Sequence, residues 1–278
     1  MSQRGASFRH NHVSSTLRAL RKERGLSCKE VASALGFSEA KVSRMETGDR
    51  GLDADDVAAV LGFLRAPLQP RQELMALVRS GHTKNWQEIH GQLPSNWKEI
   101  IYFERRAEAV FNYQPLLIPG LAQTPEYARI TLRGVTDGLT ADQIETLVAS
   151  RMGRQVVIGR IKIHLLIDEM ALRRRLDDPA MMADQLRHLR ALAKRRNVIV
   201  QAVPHDAPAH PGLDGALLIL DFGDEGTLIQ VEGRNTNTFL EESVHVRGAK
   251  TAWSKIHSVA LSPDESLHLI TSIESELA

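Results

Sequence analysis

Residues 27–48, SCKEVASALGFSEAKVSRMETG, decide how the chain is read. Val31 and Leu35 stand one helical turn apart and share a face. Ala32 is small where a second helix must pass close by. Gly36 follows at the point where the first helix has to end, and glycine takes a left-handed cap without a Cβ penalty. Ser38 is placed to N-cap a second helix whose buried side carries Val42 and Met45. Counted from Cys28, alanine is fifth, glycine ninth and a β-branched apolar residue fifteenth. Two short helices at this spacing form a helix-turn-helix, whose second helix enters the DNA major groove.

The flanks agree. Leu17, Leu20 and Leu26 predict a helix before the pair, and Val57, Val60, Leu61 and Leu64 predict one after it. Pro67 and Pro70 are expected to close the module, with a further helix over 71–79 turning Leu74 and Leu77 inward. A helical bundle without DNA contacts would bury the same side chains, but here five helices follow in the order of a complete module. Residues 16–64 resemble the lambda-repressor-like (Xre-family) helix-turn-helix, including the ending VSRMETG at 42–48. Cys28 departs from that pattern, which usually has glutamine there. A thiol does not replace both hydrogen bonds of an amide, so anchoring near Cys28 is expected to be weaker or to shift to Lys29.

Charge supports the same end of the chain. The 278 residues carry a formal net charge of +1, yet residues 1–50 hold ten Lys/Arg against five Asp/Glu. The remainder is therefore mildly acidic, and phosphate binding is expected at the N-terminal end only. Hydrophobic content of 42% and charged content of 25% are those of a soluble globular protein long enough for two domains. The single cysteine excludes an intrachain disulfide and a thiolate zinc site. No run approaches the ~18–20 apolar residues that span a bilayer, and the first fifteen residues lack the apolar core of a signal peptide. A cytoplasmic protein without membrane contact is expected.

Three regions follow: a helix-turn-helix domain over 1–80, a linker over 81–96, and an α+β domain over 97–278. Residues 1–13 read as a loose arm that can bring Arg4 and Arg9 to the DNA backbone, and a short helix around Trp86 fits the linker. The second domain opens with a helix over 97–106 and a strand over 108–117. Helices follow from Thr124 and over 140–153, then a strand over 161–167 and helices over 168–176 and 179–196. Strands over 197–203, 216–222 and 227–231 come next, the last two joined by the hairpin signal GDEG at 223–226. Helices over 238–257 and 263–276 end the chain.

Several strings in this half carry a family resemblance. They are Glu104 and Ala107, LLIPGLAQTPEYA at 116–128, Arg154-Gln155, Asp168-Glu169 with Ala171-Leu172-Arg173, and MADQLRHL at 182–189. Asn197, Pro204, His210, Gly212, Gly215, Phe222 and Glu232 continue the set, which closes with ALSPDESLHLI at 260–270. In this order they resemble the C-terminal domain of actinobacterial Xre-type regulators of the WhiJ kind, although Ala122 stands where that family more often has leucine. The resemblance implies an antitoxin-like transcriptional regulator, often encoded beside a small partner protein. It implies no chemistry for the C-terminal domain.

The expected DNA-contacting residues are Ser38, Glu39, Ala40, Lys41 and Arg44 on the second helix of the motif. Lys41 or Arg44 pairs with guanine acceptors, Glu39 accepts from cytosine, and Ala40 touches a thymine methyl group. Arg44 fits a phosphate contact equally well, and a pairing with Glu46 is the bland alternative. Arg18, Lys22, Lys29 and Arg50 are the candidate phosphate contacts. Elsewhere, His205, Asp206 and His210 lie in the loop PHDAPAHPG without the spacing of a metal site. Asp168 and Glu169 are adjacent acids at a helix start, where acids are favourable in any case. Arg173, Arg174 and Arg175 in one helix, and Arg187, Arg190, Lys194, Arg195 and Arg196 in the next, read as solvated or paired faces, or as seats for an anionic ligand or acidic partner.

No phosphate loop, nucleophile elbow or zinc motif is present in the sequence, so no cofactor, metal or catalytic residue is assigned. The expected function is a sequence-specific regulator bound to double-stranded DNA. Its C-terminal domain dimerises, or senses a small-molecule ligand or small partner protein. An antitoxin neutralising a small partner is the alternative, and an enzyme in the C-terminal domain is less favoured. For the homodimer, Leu267, Ile270 and Ile273 form a stripe that suits either a two-fold axis or an internal contact.

Overall fold

In the N-terminal region, apolar residues at helical spacing build five helices: α1 (Phe8–Glu23), α2 (Cys28–Leu35), α3 (Glu39–Thr47), α4 (Ala54–Phe63) and α5 (Leu68–Arg79). Val13, Leu17, Val31, Ala32, Val42, Met45, Val57, Val60, Leu61, Leu64 and Leu74 make the core. Helix α2 starts on a reciprocal cap: the Glu30 N–H donates to Ser27 Oγ at 3.2 Å, and the Ser27 N–H donates to Glu30 Oε2 at 2.7 Å. It ends at Gly36 with φ +67°, as its position requires. At the start of α4 the Asp53 side chain accepts from the Asp55 and Asp56 N–H groups.

The computed structural model describes residues 8–47, 52–79, 95–176, 178–233 and 236–277. The chain divides into two units, Met1–Asn85 and Trp86–Ala278. Two expectations in the first unit need correction. Residues 8–13 belong to α1 and not to a loose arm, because Val13, one turn before Leu17, is 1% exposed and completes the core stripe. Helix α5 starts at Leu68, so Pro70 lies in its first turn, where a missing N–H leaves no acceptor unsatisfied. Arg4, the side chain of Leu77 and the helix expected around Trp86 lie outside what is described, as does most of the expected linker.

The second unit contains a six-stranded sheet with helices on it: an α+β fold, as expected. In chain order it comprises α6 (Ser95–Arg106), β1 (Ala109–Gln114), α7 (Pro125–Val135), α8 (Ala141–Arg154), β2 (Lys162–Asp168), α9 (Glu169–Arg173), α10 (Pro179–Ala193), β3 (Val198–Val203), β4 (Leu217–Asp221), β5 (Thr227–Gly233), β6 (Thr236–Leu240), α11 (Ser243–Ser258) and α12 (Pro263–Ser275). The strand order is β3-β2-β1-β4-β5-β6. Strands β1, β2 and β3 are parallel, whereas β4, β5 and β6 form an antiparallel meander that joins β1. Residues 238–240, expected as helix, are strand: Thr238, Phe239 and Leu240 pair with Val231, Gln230 and Ile229. Threonine and phenylalanine suit a pleated, half-buried surface, and this pairing overrides the weak helical pattern there. The helix expected over 168–176 shortens to α9.

Tyr113, Leu166 and Val203 on one sheet face pack against Ile256 of α11. The outer edge of β3 is covered by the turn into α12. The Leu261 N–H donates to Ala202 O at 2.9 Å, and the Ala202 N–H donates to Ser266 Oγ at 2.9 Å. Such cover removes an edge that would otherwise pair with another chain. It also decides the fate of the 267–273 stripe: Ile270 and Ile273 are buried as α12 packs along α10 and β3. That stripe is an internal contact and offers no two-fold face.

Buried polar side chains hold the loop from Ile118 to Thr124. The Ile118 N–H donates to Tyr127 Oη at 3.0 Å, and Gln123 Nε2 donates to Ile118 O at 2.7 Å. Gln185 accepts from the Thr124 N–H and donates to Ala122 O, both at 2.7 Å. Beneath them Arg154 grips Glu104 with two hydrogen bonds of 2.8 and 2.6 Å, and the Glu104 side chain is 2% exposed. Replacing one partner of such a pair strands the other charge out of water, at about 3–5 kcal/mol. Glu104→Gln is therefore expected to lower the urea midpoint of the second unit sharply. The double variant Glu104→Leu/Arg154→Met should recover part of the loss. All three tryptophans lie in this unit, so their fluorescence reports its unfolding.

Candidate nucleic-acid interface

The face that α3 shows to solvent is set by what its other face is bound to. Val42, Met45 and Glu46 are buried, while Glu39, Ala40, Ser43, Arg44 and Thr47 are exposed. Glu46 is an acid at a core position, and Arg21 of α1 supplies its partner. Arg21 Nε and Nη2 donate to the two Glu46 carboxylate oxygens at 2.6 and 2.7 Å, and Nη1 donates to Leu26 O at 2.6 Å. One guanidinium thus ties α1, the α1–α2 turn and α3 together. Both side chains are nearly out of water, 12% and 6% exposed.

This arrangement removes the pairing of Arg44 with Glu46, because Glu46 is taken by Arg21. Arg44 is exposed and makes no ion pair among the described residues. Lys41 is differently placed: its Nζ lies 2.6 Å from Asp56 Oδ1 of α4 and 4.0 Å above the centre of the Phe37 ring. Ser38 caps α3 as expected, its Oγ accepting the Lys41 N–H at 3.1 Å. Arg18, Lys22 and Lys29 are exposed, and Arg18 stands one turn from Arg21 on α1. Arg50 lies outside the described residues. Sequence reasoning missed Arg21 as the partner of Glu46, although a charged residue one position after Met45 on the core side was the available signal. It also missed Ser43 and Thr47, which share the stripe of Ala40 and Arg44 at helical spacing.

Cys28, in the place of the usual glutamine, points its Sγ at Glu46 Oε2, 3.8 Å away. Burial and the nearby carboxylate push the thiol pKa up, so it stays protonated and unreactive at neutral pH.

The other candidates separate. Asp168 caps α9 through the Met170 N–H and accepts from Tyr113 Oη at 3.2 Å. Glu169 is 4% exposed, and accepts from Arg173 Nε at 2.6 Å and from the His205 backbone N–H at 3.0 Å. His205 Nδ1 lies 2.9 Å from the same carboxylate, whereas His210 Nδ1 accepts from the Gly212 N–H. Among the described residues, no three His, Cys, Asp or Glu side chains are grouped to hold a metal ion. Arg173 also meets Glu276, Arg190 meets Glu274, and Arg174 donates to Leu116 O.

Burial pushes the Glu169 carboxyl up, but the hydrogen bonds from Arg173 and His205 outweigh it and hold the pKa at about 2. A depressed acid stabilises the fold above its ordinary value of 4.5, and that stabilisation is lost as pH falls through about 2. His205 is raised by Glu169, so its own share is present below the ordinary 6.5 and is lost as pH rises through the folded value. The urea midpoint of the second unit, followed by tryptophan fluorescence, should therefore fall as the pH drops from about 5 toward 2. Glu169→Gln should lose about 1–3 kcal/mol at neutral pH and show a shallower acid dependence.

No helix among the described residues is long and apolar enough to cross a membrane. Compared with known families, residues 12–74 match a helix-turn-helix domain, and residues 97–272 match a domain of unknown function, DUF5753. No curated protein and no solved structure matches the chain. With more than half of its length inside that second match, the chain belongs to the DUF5753 family and carries the domain behind an N-terminal helix-turn-helix.

Proposed function

We propose that the protein is a cytoplasmic, sequence-specific regulator of transcription that lays α3 in the major groove of double-stranded DNA. The observation that carries the reading is the exposed stripe of Ala40, Ser43 and Arg44, held opposite a buried face by the Arg21–Glu46 pair. In this reading Arg44 takes guanine O6 and N7, Glu39 accepts from a cytosine amino group, and Ala40 meets a thymine methyl group. Lys41 keeps its bridge to Asp56 and steadies α3 against α4. Arg18, Lys22, Lys29 and Arg50 contact phosphates, and the terminal amides of α2 and α3 add to them.

The C-terminal domain, on this proposal, dimerises and receives a signal from a small molecule or a small partner protein. The lambda-repressor-like and WhiJ-like resemblances support it, and the antitoxin-like role they imply would make that partner a protein. A single module reads too few bases to select one site in a genome. A homodimer doubles the contacts on a palindrome with half-sites ~34 Å apart. The dimer interface lies away from the Ile270–Ile273 stripe, which is already buried.

Selection of bound fragments from random genomic DNA supplies the operator for two tests. Arg44→Ala is expected to lose ~1–3 kcal/mol and to relax the preference at one position, while Lys22→Ala weakens all sequences alike and lowers the salt slope by ~1. An unchanged preference in Arg44→Ala would move the reading surface off α3. Light scattering on the full chain should give twice the chain mass alone, or two chains plus one duplex on the operator. A monomer in both states removes the dimer.

A further inference from the structure

Over the first residues of β1, β2 and β3 the sheet carries an open groove of about 320 Å³. The strand register sets Phe111, His164 and Ile199 side by side along its floor. Phe111 and His164 are half-buried, and Ile199 is 43% exposed. Trp253 of α11 steadies two of these rings, edge-on to Phe111 at 5.4 Å and to His164 at 5.1 Å between ring centres. The His164 ring is locked from behind. Gln201 Nε2 donates to Leu261 O at 2.7 Å, which turns its Oε1 to His164 Nε2 at 2.6 Å.

Two cations, Lys162 and Arg196, line the same groove. Both are exposed, and neither makes an ion pair among the described residues. Arg106, Arg129 and Arg154 of the same unit, by contrast, are held by carboxylates. A floor of aromatic and aliphatic side chains suits a hydrophobic body. Two unpaired cations at that floor suit one negative head group, and the volume falls at the small end of ligand sites, ~300–1,000 Å³.

We propose that this groove binds a small amphipathic organic anion, its apolar body on Phe111, His164 and Ile199 and its head group between Lys162 and Arg196. The consequence for regulation rests on the DNA-binding reading above, whereas the binding itself does not.

The test uses the full chain and the aromatic sulfonate anilinonaphthalene sulfonate, whose fluorescence rises in apolar sites. Saturable binding of one probe per chain is expected, with displacement by decanoate and not by decanol at equal concentration. Lys162→Glu/Arg196→Glu should weaken the probe at least about tenfold, or about 1.4 kcal/mol, and Ile199→Asp should do likewise. Ile199, Lys162 and Arg196 are exposed enough for these variants to fold, and circular dichroism checks that they do. Trp253→Phe should keep binding and lose any tryptophan quenching caused by the probe. Absence of saturable binding overturns the proposal, as does equal affinity in the charge-reversed and Ile199→Asp variants or equal displacement by decanol. Operator binding by the same preparations separates the two readings: a chain that binds the probe and no DNA overturns only the regulator.

Discussion

The helix-turn-helix depends on one ion pair held out of water. Removing Arg21 and Glu46 from solvent is unfavourable by several kcal/mol, and a two-pronged guanidinium–carboxylate contact offsets it only when the remaining donors are also used. The third donor reaches Leu26 O, in the turn before α2. The pair can therefore form only when α1, that turn and α3 all stand in one arrangement. Apolar contacts of Val42 and Met45 hold α3 against the bundle but tolerate sliding and rotation. The charged pair is directional and does not. Which side chains α3 shows to solvent follows from it, as does the burial of the Cys28 thiol.

The second unit applies the same chemistry to a loop. The chain leaving β1 toward α7 makes few regular backbone bonds, and a buried carbonyl or amide without a partner is costly. Gln123, Tyr127 and Gln185 supply those partners, and the buried Glu104–Arg154 pair beneath them compensates its own two charges. Strand β1 is at once the end of a parallel set and the start of an antiparallel meander. Helices α9 and α10, which follow β2, cover part of the sheet together with α12, and α11 returns to cover another part. The groove over Phe111, His164 and Ile199 is what that covering leaves open.

Much of this was legible in the chain. The helix-turn-helix was readable because its constraints are local: a left-handed glycine cap at Gly36, an N-cap at Ser38 and apolar residues one turn apart. Strands β1 to β5 were readable from short apolar runs, and the helices that start behind Thr124 and Thr140 from their local pattern. These signals act over a few residues, so the order of residues alone determines them, including the surplus of positive charge in residues 1–50. Only the tertiary structure decided the partners. Arg21 and Glu46 are 25 residues apart, Arg154 and Glu104 are 50 apart, and either acid had several cations to choose from. Thr238 to Leu240 became strand because β5 was there to pair with, and the stripe on α12 turned inward because β3 had an edge to cover. Periodicity shows that a face is apolar. What meets that face is set by elements far away in the chain, through packing and directional bonds that no local pattern contains.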